Sequence, residues 1–280
     1  MKTDLAFPFR LGTTSYILPD EILPNVRFLA GQVQDVELVL FEVDDGPSNL
    51  PSAAEIAKLN ALAAEHGLSY TVHLPLDLRL GEGGSEQHVS LEKARRVIEC
   101  TRPLSPWAYV LHLDGRRVQH GAGSAAYAEW VEQSRRALEI TAAWAGEAGR
   151  LAVENLEGYP PDFWQPVLEG CAAGRCVDIG HLWRDHLDPL PWLAQALPRA
   201  RVLHLHGVGQ RDHQSLAFTP PQELDRLVAF LLHVESPPNG AFPCPEGYGG
   251  VVTLEVFNES DFRSSQAALL ASLERVRQGR

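Results

Sequence analysis

Three tetrapeptides share one frame: Val-His-Leu-Pro (72–75), Leu-His-Leu-Asp (111–114) and Leu-His-Leu-His (203–206). Each sets a histidine, His73, His112 or His204, between an apolar residue and Leu. Residues two apart share a strand face, so Asp114 and His206 can stand above their histidines. Acidic residues occupy equivalent places elsewhere: Glu42 in VELVLFE, Glu154 in RLAVENL, Asp178 in RCVDIG and Glu255 in VVTLEVF. His181 follows Asp178 by three residues, and Asp212 and His213 follow His206 closely. Any one of these alone is an ordinary hydrogen-bonded polar residue. Together they are a mixed imidazole and carboxylate set, the ligand chemistry of Zn, Mn or Fe. Burying several carboxylates side by side without cations is costly, which favours a divalent-metal site over a purely structural polar network.

Such a set works only if the fold converges it. Short apolar or β-branched runs at 10–16, 36–42, 69–75, 108–114, 150–156, 175–180, 201–207 and 251–257 read as strands. Between them, 52–67, 85–101, 124–149, 221–233 and 264–277 have helical periodicity, and 20–30, 160–170 and 189–198 are shorter candidates. Ser52 with Glu55 predicts a capping box, and Gly67 a helix stop. Eight strand–helix alternations predict one (β/α)8 TIM barrel spanning residues 1–280. The open doubly wound sheet is disfavoured because no Gly-x-Gly-x-x-Gly follows the first strand. In a barrel the polar strand ends meet at one mouth. The Pro/Gly-rich segment 235–250 is expected at the opposite end, as a lid or a plain connection.

Composition narrows the function. With 45% hydrophobic residues and a net charge of −12, the chain reads as globular and acidic. Duplex DNA is therefore a poor partner, although acidic metal ligands inflate the charge and Arg116–Arg117 could meet phosphates. No apolar run suits a membrane span, and MKTDLAFPFR lacks the apolar core of a secretory signal. Four cysteines without a Cys-x-x-Cys pair point to a reduced, cytoplasmic setting. The expected partner is a small molecule.

The motifs VHLP, LHLD, VEN, VDIGH, LHLH and TLE, in that order, resemble the xylose isomerase-like barrels that include the AP endonuclease family 2 proteins. The resemblance implies two or three divalent cations. In the endonuclease-like pattern His73 and His112 would hold one. Glu154 would bridge to a second, held also by Asp178, His204 and Glu255. His181, Asp212 and His213 would hold a third, although the family spaces the last pair as Asp-x-His and here they are adjacent. The epimerase branch implies one metal on Glu154, Asp178, His204 and Glu255, with His181 on substrate. Xylose isomerase itself is disfavoured, since Lys occurs only at 2, 58 and 93. The opening segment 11–42, with TVHLPLDL and VENLEGYP, is similar to cobamide-remodelling phosphodiesterases.

Two enzymatic readings follow. Phosphodiester hydrolysis would use Glu154, Glu255 and His181, with Glu42, Asp114 and His206 orienting imidazoles or touching substrate. Sugar isomerisation or epimerisation would instead exchange a proton through Glu154 and Glu255. A non-catalytic ligand-binding barrel and an AP endonuclease are further alternatives.

Overall fold

Eight parallel strands close in chain order into a barrel: β1 (Arg10–Thr14), β2 (Asp35–Val39), β3 (Ser69–His73), β4 (Tyr109–Leu111), β5 (Leu151–Glu154), β6 (Gly174–Asp178), β7 (Ala200–Leu205) and β8 (Val251–Leu254). The computed structural model describes residues 7–42, 48–234 and 247–279. Most of segment 235–250 lies outside the described residues. The helices are α1 (Ile22–Leu29), α2 (Ala53–His66), α3 (Val89–Thr101), α4 (Ala125–Ala145), α5 (Gln165–Glu169), α6 (Ile179–Arg184), α7 (Pro189–Ala196), α8 (Pro221–His233) and α9 (Glu259–Gln278). None among the described residues is long and apolar enough to cross a membrane. The (β/α)8 architecture is the one the alternation predicts.

Local chemistry explains the boundaries. The capping box of Ser52 and Glu55 opens α2, and Gly67 closes it in the left-handed region at φ 69°. The strands stop earlier than their apolar runs suggest. Asn49 ends β2 by donating to the Val39 carbonyl at 3.1 Å and accepting from the Phe41 amide at 2.7 Å. Glu42 therefore lies in the following loop and does not close the strand. After β4, Leu78 takes over the pairing: its amide donates to the His112 carbonyl at 2.8 Å, and its carbonyl accepts from Asp114. Helix α6, absent from the sequence expectation, begins directly at the end of β6 because the Asp178 side chain caps it.

Two apolar regions result. The larger packs the outer faces of the strands against the helices. The smaller consists of Ala108, Val110, Ala152, Cys176 and Val202, with Trp107 packed against it. Val110, Ala152, Cys176 and Val202 each stand two residues before His112, Glu154, Asp178 and His204, so they share the ligands' inward face. The polar residues thus rest on a small dry layer inside the barrel. Below it, the Arg201 guanidinium lies 4.7 Å from the centre of the Trp107 ring. Trp107 Nε1 returns a hydrogen bond to the Arg201 carbonyl at 3.1 Å.

Asp35, at the start of β2, is fully buried. Burial pushes its carboxyl up to about 6, against the opposing pull of the Ser69 hydroxyl and Arg10. Its folded-state value lies above the ordinary 3.8, so the folded state favours the protonated form. Its favourable contribution is complete below about pH 4 and lost as pH rises through 6. Asp35→Asn should therefore be more stable than the wild type at pH 7.5, by on the order of 3 kcal/mol. Urea unfolding at pH 4 and 7.5 checks this; a difference independent of pH would contradict it.

Candidate metal centre

Glu154, on the last residue of β5, is the hub of the mouth and only 1% exposed. Its Oε2 lies 3.3 Å from His73 Nε2 and 3.1 Å from His112 Nε2. Its Oε1 lies 3.0 Å from His204 Nδ1. The same His204 nitrogen is 3.1 Å from Glu255 Oε2 and 3.9 Å from Asp178 Oδ2. Strand register explains the gathering: Glu154 is beside Cys176, Asp178 beside His204, and His204 beside Thr253.

Among the described residues, four groups of ligand atoms are compact enough to hold a cation. Three are His73, His112 and Glu154; Glu154, Asp178, His204 and Glu255; and Asp178, His181, His206 and His213. The fourth, Glu154, Cys176 and His204, overlaps the second through Glu154 and His204. Glu154 belongs to the first, second and fourth, and Asp178 to the second and third. The third differs from the expected set, with His206 inside it and Asp212 outside. Asp212 stands at its edge, 3.8 Å from His181, 3.6 Å from His206 and 3.4 Å from His213. The adjacency of Asp212 and His213 explains this: His213 takes a left-handed φ of 51°, and Asp212 Oδ1 accepts its amide hydrogen. His206, two residues after His204 on the inward face, occupies the nearer place.

The groups that orient the imidazoles also differ from expectation. Glu42 accepts from Ser48 Oγ at 2.8 Å and Arg96 Nη1 at 2.8 Å, so its carboxylate serves the loop and α3. Asp114 is held by Arg116 Nε at 2.9 Å, with Arg79 at 3.4 Å. The residues that meet the imidazoles are others. Asp77 lies 3.2 Å from His112 Nδ1, Glu37 lies 2.9 Å from His204 Nε2, and the Asn155 carbonyl lies 3.0 Å from His181 Nδ1. The Leu74 carbonyl does the same for His73 at 2.9 Å. Each of these contacts leaves the other ring nitrogen aimed at a carboxylate, the arrangement by which protein groups orient metal-binding histidines. The only sequence signal for Glu37 was its place inside VELVLFE, where alternation puts it on the same face as Val39. Asp77 and the two carbonyls left none.

The donor set fits divalent cations. Asp178 Oδ2, Glu255 Oε2 and His206 Nε2 are buried and lack a well-formed hydrogen bond. All three belong to residues of the second or third group, and buried polar atoms are seldom left so. Electrostatics points the same way. Burial opposes a charge on His112, yet Glu154 and Asp77 push it up to about 10. Burial likewise opposes the charge on Glu154, but His204 and His112 hold it well below the ordinary carboxylate range. Glu255 is held low against burial by His204 and His213. His181, His206 and His213 are raised despite burial, by Asp178 for the first two and by Glu255 for the last. Positive charge is what the carboxylates require, whether from protons or from cations.

The sequence matches the xylose isomerase-like TIM barrel family over residues 33–231, and the chain belongs to that family. No curated protein sequence matches it. Among solved structures it is similar to a D-tagatose 3-epimerase-like protein, with a TM-score of 0.70 and 18% identity over 97% of this chain and 99% of that one. Endonuclease IV from Thermus thermophilus superposes with a TM-score of 0.67 and 20% identity, over 95% and 99% of the two chains. D-Psicose 3-epimerase from Clostridium cellulolyticum gives a TM-score of 0.60 and 14% identity, over 96% and 99%. These likenesses establish the shared fold.

Cation binding must displace protons from the imidazoles, so affinity should fall as pH falls. With His112 raised to about 10, binding at pH 7.5 should release at least one proton. Calorimetric titration with Zn²⁺ in buffers of different ionisation enthalpy checks this. Heats that do not depend on the buffer would contradict it.

Proposed function

We propose that the chain is a divalent-metal-dependent phosphodiester hydrolase acting on a small molecule. The observation that carries this reading is the sharing of Glu154 and Asp178 among adjoining ligand groups. A site for a single cation does not require His73 and His112 as a pair of ligands. Divalent cations bound there would supply positive charge at the phosphoryl oxygens and acidify water. The chain's own residues would do the rest. Glu154 holds the first two groups in one geometry, and Asp178 the second and third. His181, whose Nδ1 meets the Asn155 carbonyl, leaves Nε2 free to serve the third group.

The rim supports a substrate larger than a free sugar. Phe41, Leu76 and Phe257 follow β2, β3 and β8 and are 46%, 40% and 40% exposed. Phe41 meets Tyr16 edge-on at 5.2 Å, and Phe257 lies 5.5 Å from the His213 ring. Such surfaces suit a planar or apolar portion of a ligand. Beyond β3 and β4, a groove of about 640 Å³ is lined by Arg79, Asp114, Arg117 and Trp130 among others. The likeness of segment 11–42 to cobamide-remodelling phosphodiesterases nominates the cobamide nucleotide loop as the first substrate to try. The acidic chain argues for such a molecule over duplex DNA.

A second reading is 1,2-isomerisation or epimerisation of a sugar with one cation. Two observations favour it. The group Glu154, Asp178, His204 and Glu255 is complete by itself, and the similar solved barrels include several sugar epimerases. Glu154 and Glu255 would then exchange the proton beside the carbonyl.

The metal-loaded chain should hydrolyse a cobamide or a simple phosphodiester such as bis(p-nitrophenyl) phosphate. Glu154→Ala should lower turnover by at least about a hundredfold, as loss of a shared ligand implies. His73→Ala with His112→Ala should lose hydrolysis and one cation by elemental analysis. Solvent deuterium appearing in a ketose, undiminished by that double substitution, would establish the epimerase instead.

A further inference from the structure

Glu37 lies outside every ligand group among the described residues, yet it is fully buried at the centre of β2. Its Oε2 is 2.9 Å from Nε2 of His204, which is itself fully buried on β7. In the closed barrel β8 and β1 stand between those two strands, so the hydrogen bond crosses the interior. Two features make the crossing possible. Gly12 of β1 is in register with both Asp35 and Thr253, and a Cβ there would come within 3.1 Å of the Asp35 side chain. In the row that joins His204 and Thr253, β1 therefore carries no side chain. Glu37 is also pinned by its backbone: its carbonyl accepts from Ser15 at 2.8 Å, and it pairs in register with Thr14 and Thr71.

We propose that Glu37 is the positioning residue of the metal centre, fixing His204 in the tautomer that carries its proton on Nε2 and presents Nδ1 as the ligand. His204 has two ring nitrogens, and only Nδ1 lies near Glu154, Asp178 and Glu255. An imidazole free to flip would turn a protonated nitrogen towards the site or lose the shared position. A carboxylate that accepts only at Nε2 removes that choice, and a charge-assisted hydrogen bond does so strongly. Glu37 thereby does for the β7 ligand what Asp77 does for His112, but from the barrel interior and not from a surface loop. The role rests on the metal centre and is the same for hydrolysis and for epimerisation.

Two measurements test it. In the Zn²⁺-loaded wild type, long-range ¹H–¹⁵N correlation should show His204 with protonated Nε2 and metal-bound Nδ1. A proton on Nδ1, or Nε2 as the ligand, would overturn the role without any variant. In chelator competition, Glu37→Leu should weaken binding of the tightest cations by about tenfold or more. Glu37→Gln, whose amide oxygen can still accept from Nε2–H, should recover most of the loss. A folded Glu37→Leu protein with wild-type affinity would overturn the proposal, as would a Gln variant no better than Leu. If Glu37→Leu does not fold, the tautomer in the wild type decides. A wild type that binds no cation would remove the centre itself, an outcome distinct from a loaded protein indifferent to Glu37.

Discussion

The carboxylate of Glu154 is buried at the top of the barrel wall and must be neutralised there. An isolated ion in such a place is prohibitively costly, so every neighbouring element is arranged to supply compensating charge. His73 and His112 approach one oxygen and His204 the other. His204 in turn brings Glu255 and Asp178 into range, and Asp178 brings His181 and His206. The chain of partners alternates in sign from one side of the mouth to the other. In a pocket with this alternation, protons and divalent cations compete for the same sites. That competition is the physical content of a metal enzyme's pH dependence.

The fold meets this demand by splitting its interior. Ala108, Val110, Ala152, Cys176 and Val202 keep one part of the barrel's inside dry and small. Asp35, Glu37, Thr71 and Thr253 make another part polar, on strands that would read as wholly apolar if they were merely structural. The hydrogen bond from His204 to Glu37 joins the metal centre to that polar side. Parallel strands suit the purpose because their C-terminal ends all open on one face, and short strands release the chain immediately above the ligands. Asp178 shows the economy of the arrangement, since one carboxylate both caps α6 and belongs to two ligand groups.

Family membership and fold leave the reaction open, because barrels of this kind include both an endonuclease and sugar epimerases at under 25% identity. What separates the readings lies in residues outside the four-ligand group: His73, His112 and the imidazoles around Asp178. His73 ends β3 and His112 directly follows β4, and the imidazoles around Asp178 follow β6 and β7.

Much of this was legible in the amino-acid order. The alternation of apolar runs with helical periods favours a barrel, and the repeated His-Leu frame marks His73, His112 and His204. Glu154, Asp178 and Glu255 announce themselves as charges at the ends of strands that should be apolar. Strand period and strand ends are local properties, so a linear reading reaches them. Other assignments depended on how distant segments meet. Glu42 looked equivalent to Glu154, but Asn49 ends β2 early and Arg96 claims the carboxylate. Glu37 looked like an ordinary strand residue until the closed barrel set it against β7. The exchange of Asp212 for His206 turned on one left-handed residue in a loop. The sequence by itself determined which side chains could serve. Tertiary structure decided which of them converge, because strand closure and loop hydrogen bonds select partners across the barrel that no spacing along the chain encodes.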